Sequence, residues 1–394
     1  MPCFGRYLRI WLAIVAAVLA AMGLFNLLID PYRAYRLVSL PTLDIHKEYG
    51  SSRIIKAEMI HHGPWDVILI GSSRVEVGLD PDSPAWGGRR VYNGGLPGAF
   101  FAELADAAEF AARDARPRTL VVVLDFFGFS RFPQPRHEEF ARSRFNPLLN
   151  LISYHQDNTL TLFSTDRAFA AVRNTLRRKA PKFSPHGLKL DTMIPPGRSP
   201  RQYIHDTLIR MGKQGPFRHF AYDRQLAQRF GQVARLCQRH NVQLHAILAP
   251  VHALDLEQMR AFGLWDQWEQ WKRDLSAQLP ADDLAGPVPI LWDCSTYNPF
   301  STEPIPPEDH PGRPMRWYWE PSHFRTALGD ILIRRINRLP GEPDQPPVES
   351  IGRPLRTDGI EAHLQSIRRA GSAYRAGRPD GLNWTILQGG DRSP

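Results

Sequence analysis

An uninterrupted apolar run near the N-terminus is the feature that most constrains how this chain can fold. Residues 10–29 form a stretch of 20 positions without a charge, and Asn26 is its one clearly polar member. A helix of that length spans about 30 Å, the hydrocarbon thickness of a bilayer. Because backbone groups in lipid must bond within their own segment, the run predicts a transmembrane helix.

The residues that flank this run predict its orientation. Arg6 and Arg9 precede the run, which favours a cytoplasmic segment over residues 1–9 and an exported remainder. The sequence therefore predicts a single-pass signal anchor with its large domain outside the cytoplasm. A cleaved signal peptide is an open alternative, because small residues such as Ala20 and Ala21 lie within the run.

Charge and cysteine content exclude some classes of function. The formal net charge is +9, but the arginines are scattered and no nucleic-acid-binding motif is present, so we expect a solvated basic surface and no nucleic acid. Cys3, Cys237 and Cys294 form no Cys-x-x-Cys pair, so neither a zinc ribbon nor a thioredoxin-like site is indicated. Cys237 and Cys294 can either pair in an oxidising compartment or remain buried thiols.

Beyond the anchor, apolar strand patterns alternate with helical ones. Strands are predicted at residues 66–71, 90–93, 119–125, 242–248 and 288–293, and helices at 51–61, 99–113, 222–240, 254–279 and 323–339. This alternation predicts an α/β fold with a doubly wound parallel sheet covered on both faces. In such a sheet, the chemistry lies beyond the carboxyl ends of the strands.

The same pattern divides the chain into segments. We expect a connecting segment at 30–64 and the α/β domain at 65–339. An insertion at 131–218, with weak helical periodicity at 166–178, is predicted to border a substrate cleft. The Pro- and Gly-rich tail at 340–394, with one helix at 359–370, is expected either to pack back on the domain or to be mobile.

Three short motifs lie where chemistry is expected. Gly71-Ser72-Ser73-Arg74 follows the first strand, where a serine can project its hydroxyl above the sheet or merely cap the next helix. Asn93-Gly94-Gly95-Leu96-Pro97-Gly98 follows the second strand, where glycines allow close approach of a ligand or form an ordinary turn.

The third motif, Trp319-Glu320-Pro321-Ser322-His323, precedes the last predicted helix. A proline after a carboxylate is typical of a helix start, so Glu320 is predicted at the N-cap. The spacing of three also allows Glu320 to orient the imidazole of His323 as a base. The alternative is a capping glutamate beside an incidental histidine.

Taken together, the order of these motifs resembles the SGNH (GDSL-like) hydrolase superfamily over about residues 64–338. The similarity is closer to membrane-anchored bacterial members, related to cell-envelope O-acyl and O-acetyl transfer proteins. The resemblance implies a three-layer, flavodoxin-like fold in a periplasmic domain on the bacterial inner membrane. It also implies a Ser73 nucleophile, a His323 base, an orienting Glu320, and an oxyanion hole from the backbone N–H groups of Ser73 and Gly95.

Three positions depart from the superfamily pattern. Ser72 stands where the superfamily usually has aspartate, and Glu320 replaces an aspartate. Asp125 stands where an asparagine side chain normally donates to the oxyanion, and an ionised carboxylate cannot donate a hydrogen bond. Loss of one such donor costs about 10²–10³ in rate, so low hydrolytic activity is expected.

Four further polar residues are candidates for substrate binding, namely Arg74, His252, Asp125 and Asn93. The His61-His62 pair lacks a third ligand at suitable spacing, so no metal site is predicted, and no cofactor is predicted either.

The sequence thus predicts an extracytoplasmic esterase or O-acyltransferase that acts on cell-envelope glycan or a similar ester. A membrane-bound acyltransferase is a possible partner by the family resemblance. The alternative is a non-catalytic glycan-binding or scaffold protein on the same fold. The distance between the Ser73 hydroxyl and the His323 ring distinguishes the two.

Overall fold

The computed structural model of the protein describes residues 2–31, 35–44, 46, 53–132, 165–190, 193–280, 286–307 and 314–377. The helices are α1 (Pro2–Ile29), α2 (Pro41–Asp44), α3 (Arg53–His62), α4 (Ser73–Gly78), α5 (Phe101–Phe110), α6 (Asp166–Leu176), α7 (Pro200–Gln214), α8 (Arg224–Arg239), α9 (Ala253–Ala261), α10 (Trp265–Ala277), α11 (Thr326–Ile336) and α12 (Ile360–Gly377). The strands are β1 (Val67–Gly71), β2 (Val91–Gly95), β3 (Thr119–Leu124), β4 (Gln243–Leu248), β5 (Ile290–Asp293), β6 (Tyr318–Glu320), β7 (His323–Phe324) and β8 (Arg353–Pro354).

The N-terminal helix α1 is the apolar segment that the sequence predicts. An 18-residue window of its stretch Phe4–Ile29 has a mean hydropathy of 2.6, and the helix is long and apolar enough to span a membrane or to serve as a signal anchor. The helix starts earlier than the apolar run and includes Arg6 and Arg9 in its first turns.

A six-stranded, mostly parallel sheet forms the centre of the domain. Its strand order is β2-β1-β3-β4-β5-β8, and only β8 runs antiparallel to its neighbour. Alternate residues of one strand enter different hydrophobic clusters, with Ile68 and Ile70 in one and Val67 and Leu69 in the other. Both faces of the sheet are therefore buried, which explains why its strands are uninterrupted apolar runs.

The predicted mixed α/β architecture is confirmed, and each of the five predicted strands has its counterpart in the sheet. The long helix predicted over 254–279 is instead two helices, α9 and α10. Gly263 lies between them at a φ of +71°, a left-handed conformation that ends the first helix.

The C-terminal segment packs back on the domain and adds an element that the sequence does not predict. β8 pairs with β5, and α12 buries Leu364 and Ile367 against the main core. The Nε2 atom of His363 lies 2.8 Å from Asp293 Oδ2 at the end of β5. The folded unit thus extends at least to Gly377, beyond the predicted domain end at residue 339.

The predicted insertion is described in two parts, 165–190 and 193–218, whereas 133–164 lies outside the described residues. The first part reaches the carboxyl end of the sheet: the N–H of Lys189 donates to Glu76 O at 2.9 Å, and that of Asn93 donates to His186 O at 2.9 Å. In the second part, α7 packs against β6.

The two cysteines of the domain are both free and buried. Cys237 belongs to one hydrophobic cluster and Cys294 to the other, so the sheet separates them and they do not pair. Burial raises the pKa of the Cys237 thiol to about 12, which makes it inert as a nucleophile.

Candidate active site

The two adjacent serines after β1 have different roles. Ser72 is the N-cap of α4, and its hydroxyl accepts a hydrogen bond from the Arg74 N–H at 3.3 Å. Ser73 is the first residue of α4, and its Oγ lies 2.8 Å from Nε2 of His323. The capping role that the sequence left open therefore belongs to Ser72, and Ser73 has its hydroxyl available for chemistry.

His323 lies on a short hairpin rather than at a helix start, which corrects the prediction for this motif. β6 and β7 pair antiparallel, with Glu320 opposite His323, and α11 begins only at Thr326. The Ser322 N–H donates to Glu320 Oε2 at 3.0 Å. The glutamate side chain thereby closes the tight turn of the hairpin instead of capping a helix.

Glu320 orients the imidazole of His323 through the ring nitrogen that does not contact Ser73. Its Oε1 is hydrogen-bonded to Nδ1 of His323 and accepts from Ser322 Oγ at 2.8 Å. Burial alone would raise the pKa of Glu320, but the charge of His323 and hydrogen bonds from His323 and Ser322 outweigh it and lower that pKa to about 2. An ionised Glu320 keeps the proton on Nδ1, so Nε2 is left to accept the proton of Ser73.

His252 supports this hairpin and does not face a substrate, contrary to expectation. Its backbone N–H donates to Pro321 O at 2.9 Å, and its ring packs edge-to-face on Tyr318 at 5.5 Å between centroids. Nε2 lies 2.8 Å from Glu303 O, and Nδ1 accepts from the Leu254 N–H at 3.2 Å. Both ring nitrogens are therefore engaged by backbone groups.

Asn93 is also structural, which corrects its prediction as a substrate-binding residue. Its buried Nδ2 donates to Val75 O at 2.7 Å and to Leu79 O at 2.8 Å. Its Oδ1 accepts from the Gly95 N–H at 3.0 Å. The side chain thus ties β2 to α4, the helix that carries Ser73.

This bond also occupies the N–H group that the resemblance assigns to the oxyanion hole at Gly95. The glycine is needed for another reason, because a Cβ atom at position 95 would lie 2.5 Å from the backbone nitrogen of Glu76. The N–H of Ser73 is the donor that the geometry favours, because no earlier carbonyl of α4 can accept from the first residue of the helix.

Arg74 is part of a buried charge cluster at the carboxyl ends of β1 and β3. Its Nη1 is ion-paired with Asp125 Oδ1, and its Nη2 lies 3.9 Å from Asp255 Oδ2. Burial would lower the pKa of Arg74, but Asp125, Asp255 and Glu320 together raise it. The neighbouring carboxyl groups balance the positive charge of Arg74, which leaves this residue poorly suited to bind an anionic substrate.

Asp125 accepts from Arg74 and so cannot supply the hydrogen-bond donor that an asparagine would supply there. Its Oδ2 is buried and makes no hydrogen bond within the described residues. Nearby, burial raises the pKa of Asp255 to about 7, against the opposing effect of Arg74. Two buried carboxyl groups, one after β3 and one in α9 after β4, therefore lie beside Arg74.

Two further buried charged residues, Lys56 and Glu76, were not predicted from the sequence. Glu76 lies one helical turn after Ser73, and burial raises its pKa to about 6 although Lys56 opposes the shift. Lys56 Nζ donates to Asn93 O at 2.8 Å and to Gly187 O at 3.3 Å. The spacing of residues along the sequence does not indicate that Lys56 lies near the site, because Lys56 belongs to α3 in the predicted connecting segment.

Among the described residues, no group of three His, Cys, Asp or Glu side chains is placed to hold a metal ion. No family model, no curated protein and no solved structure matches this chain. The assignment of a function therefore depends on the geometry of the Ser73, His323 and Glu320 side chains.

Proposed function

We propose that this protein is a membrane-anchored serine esterase or O-acyltransferase of the SGNH type. The observation that carries the proposal is the 2.8 Å contact between Ser73 Oγ and His323 Nε2, with buried Glu320 bonded to the opposite nitrogen of the ring. A nucleophile, a base and an orienting carboxylate in that order are the requirement for covalent acyl transfer.

In the proposed reaction, Ser73 Oγ attacks the acyl carbon of an ester and its proton passes to His323 Nε2. Glu320 stabilises the resulting imidazolium. His323 then returns the proton to the oxygen of the departing alcohol, which leaves an acyl group on Ser73. Water or an acceptor hydroxyl, deprotonated by the same nitrogen, attacks this ester and regenerates the serine.

The sheet topology supports the resemblance to the SGNH superfamily. The parallel strands have the order β2-β1-β3-β4-β5, which is the flavodoxin-like order. The strand order reverses between β1 and β3, because β2 is added on one side of β1 and β3 on the other. Ser73 follows β1 and Asp125 follows β3, so the site lies at this switch point, where ligands of open α/β sheets bind.

The few donors available to an oxyanion favour slow acyl chemistry, whether the acceptor is water or another hydroxyl. Asp125 is ion-paired and the Gly95 N–H is bonded to Asn93, so the Ser73 N–H remains as the main donor. Each absent donor lowers the rate by about 10²–10³. We therefore propose slow intrinsic turnover. From the family resemblance alone, we also propose that acyl groups are received from a membrane-bound acyltransferase and passed to cell-envelope glycan outside the cytoplasm.

The alternative of a non-catalytic glycan-binding or scaffold protein depends on Asp125, which removes an oxyanion donor. A protein of that kind has no requirement for an oriented imidazole within hydrogen-bond distance of a serine hydroxyl. The arrangement of Glu320 supports the enzyme, because its bond to Nδ1 leaves Nε2 of His323 directed at the Ser73 hydroxyl.

The test is labelling of the full-length protein in detergent with a fluorophosphonate probe. We expect labelling of the wild type and its loss in Ser73→Ala and in His323→Ala. Ser72→Ala is the matched control, and it should still label because Ser72 only caps α4. Absence of labelling in folded wild-type protein, or labelling that survives in Ser73→Ala, would contradict the proposal.

A further inference from the structure

Helix α6 carries exposed apolar side chains on the face that points away from the domain. Ala168 and Ala171 are buried against the protein, whereas Phe169 is 59% exposed and Leu176 is 78% exposed. These two residues lie seven positions apart, two helical turns on one side of the helix. Two exposed apolar side chains on one side of a helix are compatible with contact between that side and an apolar environment.

The position of α6 relative to α1 shows where this apolar face lies. The ring of Phe169 contacts that of Phe25, with 5.0 Å between centroids. Phe25 comes four residues before the end of α1 at Ile29. At the rise of an α-helix, Phe25 is about 6 Å inside the outer end of the apolar span.

The charge of the segment matches a lipid surface. Residues 166–182 contain six basic residues and one acidic residue. Arg173, Arg177, Arg178 and Lys179 are all exposed around the C-terminal half of α6 and the turn that follows it. Helices with an apolar side and a basic side lie in the membrane interface, with the apolar side about 5–10 Å deep.

We propose that α6 is an interfacial helix that binds the outer leaflet of the membrane through anionic phospholipid headgroups, beside the point where α1 leaves the bilayer. The proposal depends on α1 spanning a membrane, and it is independent of any activity of Ser73. The depth of Phe25 agrees with the depth of an interfacial helix, and the basic side chains at the C-terminal end are complementary to phosphate.

Neighbouring elements extend the same surface. α2 packs against α6, and the residues just before it include Leu37, which is 65% exposed, and Leu40, which is 39% exposed. Exposed apolar side chains therefore also lie just before the helix that packs against α6. Contact at both α1 and α6 would fix the tilt of the domain on the membrane.

The test uses the full-length protein in lipid nanodiscs, with spin labels at Leu176→Cys or Phe169→Cys in a Cys3→Ser background. Cys237 and Cys294 are buried and stay unlabelled. Val288→Cys is the matched control, because Val288 is also apolar and is 40% exposed, but precedes β5, three strands away from β1. The measurement is collisional accessibility to oxygen compared with that to a water-soluble nickel chelate.

We expect the ratio of oxygen to nickel accessibility at residue 176 to exceed that at residue 288 several-fold. The ratio at 176 should rise further when phosphatidylglycerol replaces part of the phosphatidylcholine, and Arg177→Gln with Arg178→Gln should remove this rise. Equal ratios at 176 and 288 would overturn the proposal. Shielding of residue 176 from both reagents would also overturn it, because it would indicate a protein partner.

Discussion

At the scale of single residues, the site depends on a few buried carboxylates with opposite electrostatic behaviour. Glu320 is kept ionised by His323 and Ser322, although burial opposes this. Asp255 is about equally buried, but its weaker contact with Arg74 at 3.9 Å does not offset desolvation, and its pKa rises to about 7. Hydrogen bonding to the charged form therefore decides which carboxylate remains an anion.

The orienting role of Glu320 predicts a large loss on neutralisation. Glu320→Gln removes the negative charge behind the imidazole and no longer selects the tautomer in which Nε2 is free. We expect the rate of fluorophosphonate labelling to fall by about 10²–10⁴. Ser322→Ala is the control, because it removes one hydrogen bond to Glu320 and should cost at most about tenfold; equal effects of the two changes would contradict this role.

The raised pKa of Asp255 predicts a pH-dependent stability. An unfolded aspartate titrates near 3.8 and the folded one near 7, so the folded protein binds the proton more tightly between these values. The stability that this group contributes is present below about pH 4 and is lost as the pH rises through 7.

We therefore expect Asp255→Asn to increase the free energy of unfolding at pH 8 relative to wild type, on the order of a few kcal/mol. The melting temperature at pH 8 should rise accordingly. At pH 4 the two proteins should melt alike. Thermal unfolding in detergent at both pH values is the measurement, and a pH-independent difference would show that the substitution acts through packing rather than through the proton.

At the scale of secondary-structure elements, α4 is the element that positions Ser73, the proposed nucleophile, and it is held from two sides. Asn93 ties it to β2, and α11 approaches so closely that a Cβ atom at Gly329 would lie 1.8 Å from Gly78 O. α4 spans only six residues, so these tertiary contacts, not its own hydrogen bonds, keep it in place.

Removal of the Asn93 side chain should destabilise the protein strongly. Asn93→Ala removes three buried hydrogen bonds, those to the carbonyls of Val75 and Leu79 and that from the N–H of Gly95, which should cost about 2–4 kcal/mol. Asn337→Ala is the matched control, because that half-buried side chain also makes two hydrogen bonds and should cost about 1 kcal/mol. Urea unfolding measures both, and a cost for Asn93 no larger than for Asn337 would refute the assignment.

At the scale of the whole molecule, the C-terminal segment completes the domain. Asp293 at the end of β5 binds Lys272 of α10 at 2.6 Å and His363 of α12 at 2.8 Å, all in buried positions. Burial would raise the pKa of Asp293, but Lys272 and His363 outweigh it and lower that pKa. The cluster joins three elements that are distant in sequence.

If α12 belongs to the core, a substitution there must lower the stability of the whole domain. Leu364 is fully buried, and Leu364→Ala should cost about 2–5 kcal/mol in a single cooperative unfolding transition. The adjacent Gln365→Ala is the control, because Gln365 is exposed and should change stability little. Unfolding of α12 in a separate, earlier transition would show that the segment is only an appendage.

The sequence by itself determined the α1 helix, the five parallel strands and the three motifs, because these are local patterns of apolar spacing and turn residues. The order of the three motifs, and the family resemblance that it carries, also led to Ser73, Glu320 and His323. The sequence placed Glu320 and His323 at a helix start, however, and no periodicity marked the β6–β7 hairpin that carries them. Tertiary structure decided that Ser72 caps α4 and that Ser73 faces the histidine. It also decided that His252 and Asn93 bond to backbone groups, and that the charge of Arg74 is balanced by a buried carboxylate. These outcomes depend on which buried polar groups meet across distant segments, and no local pattern encodes those contacts.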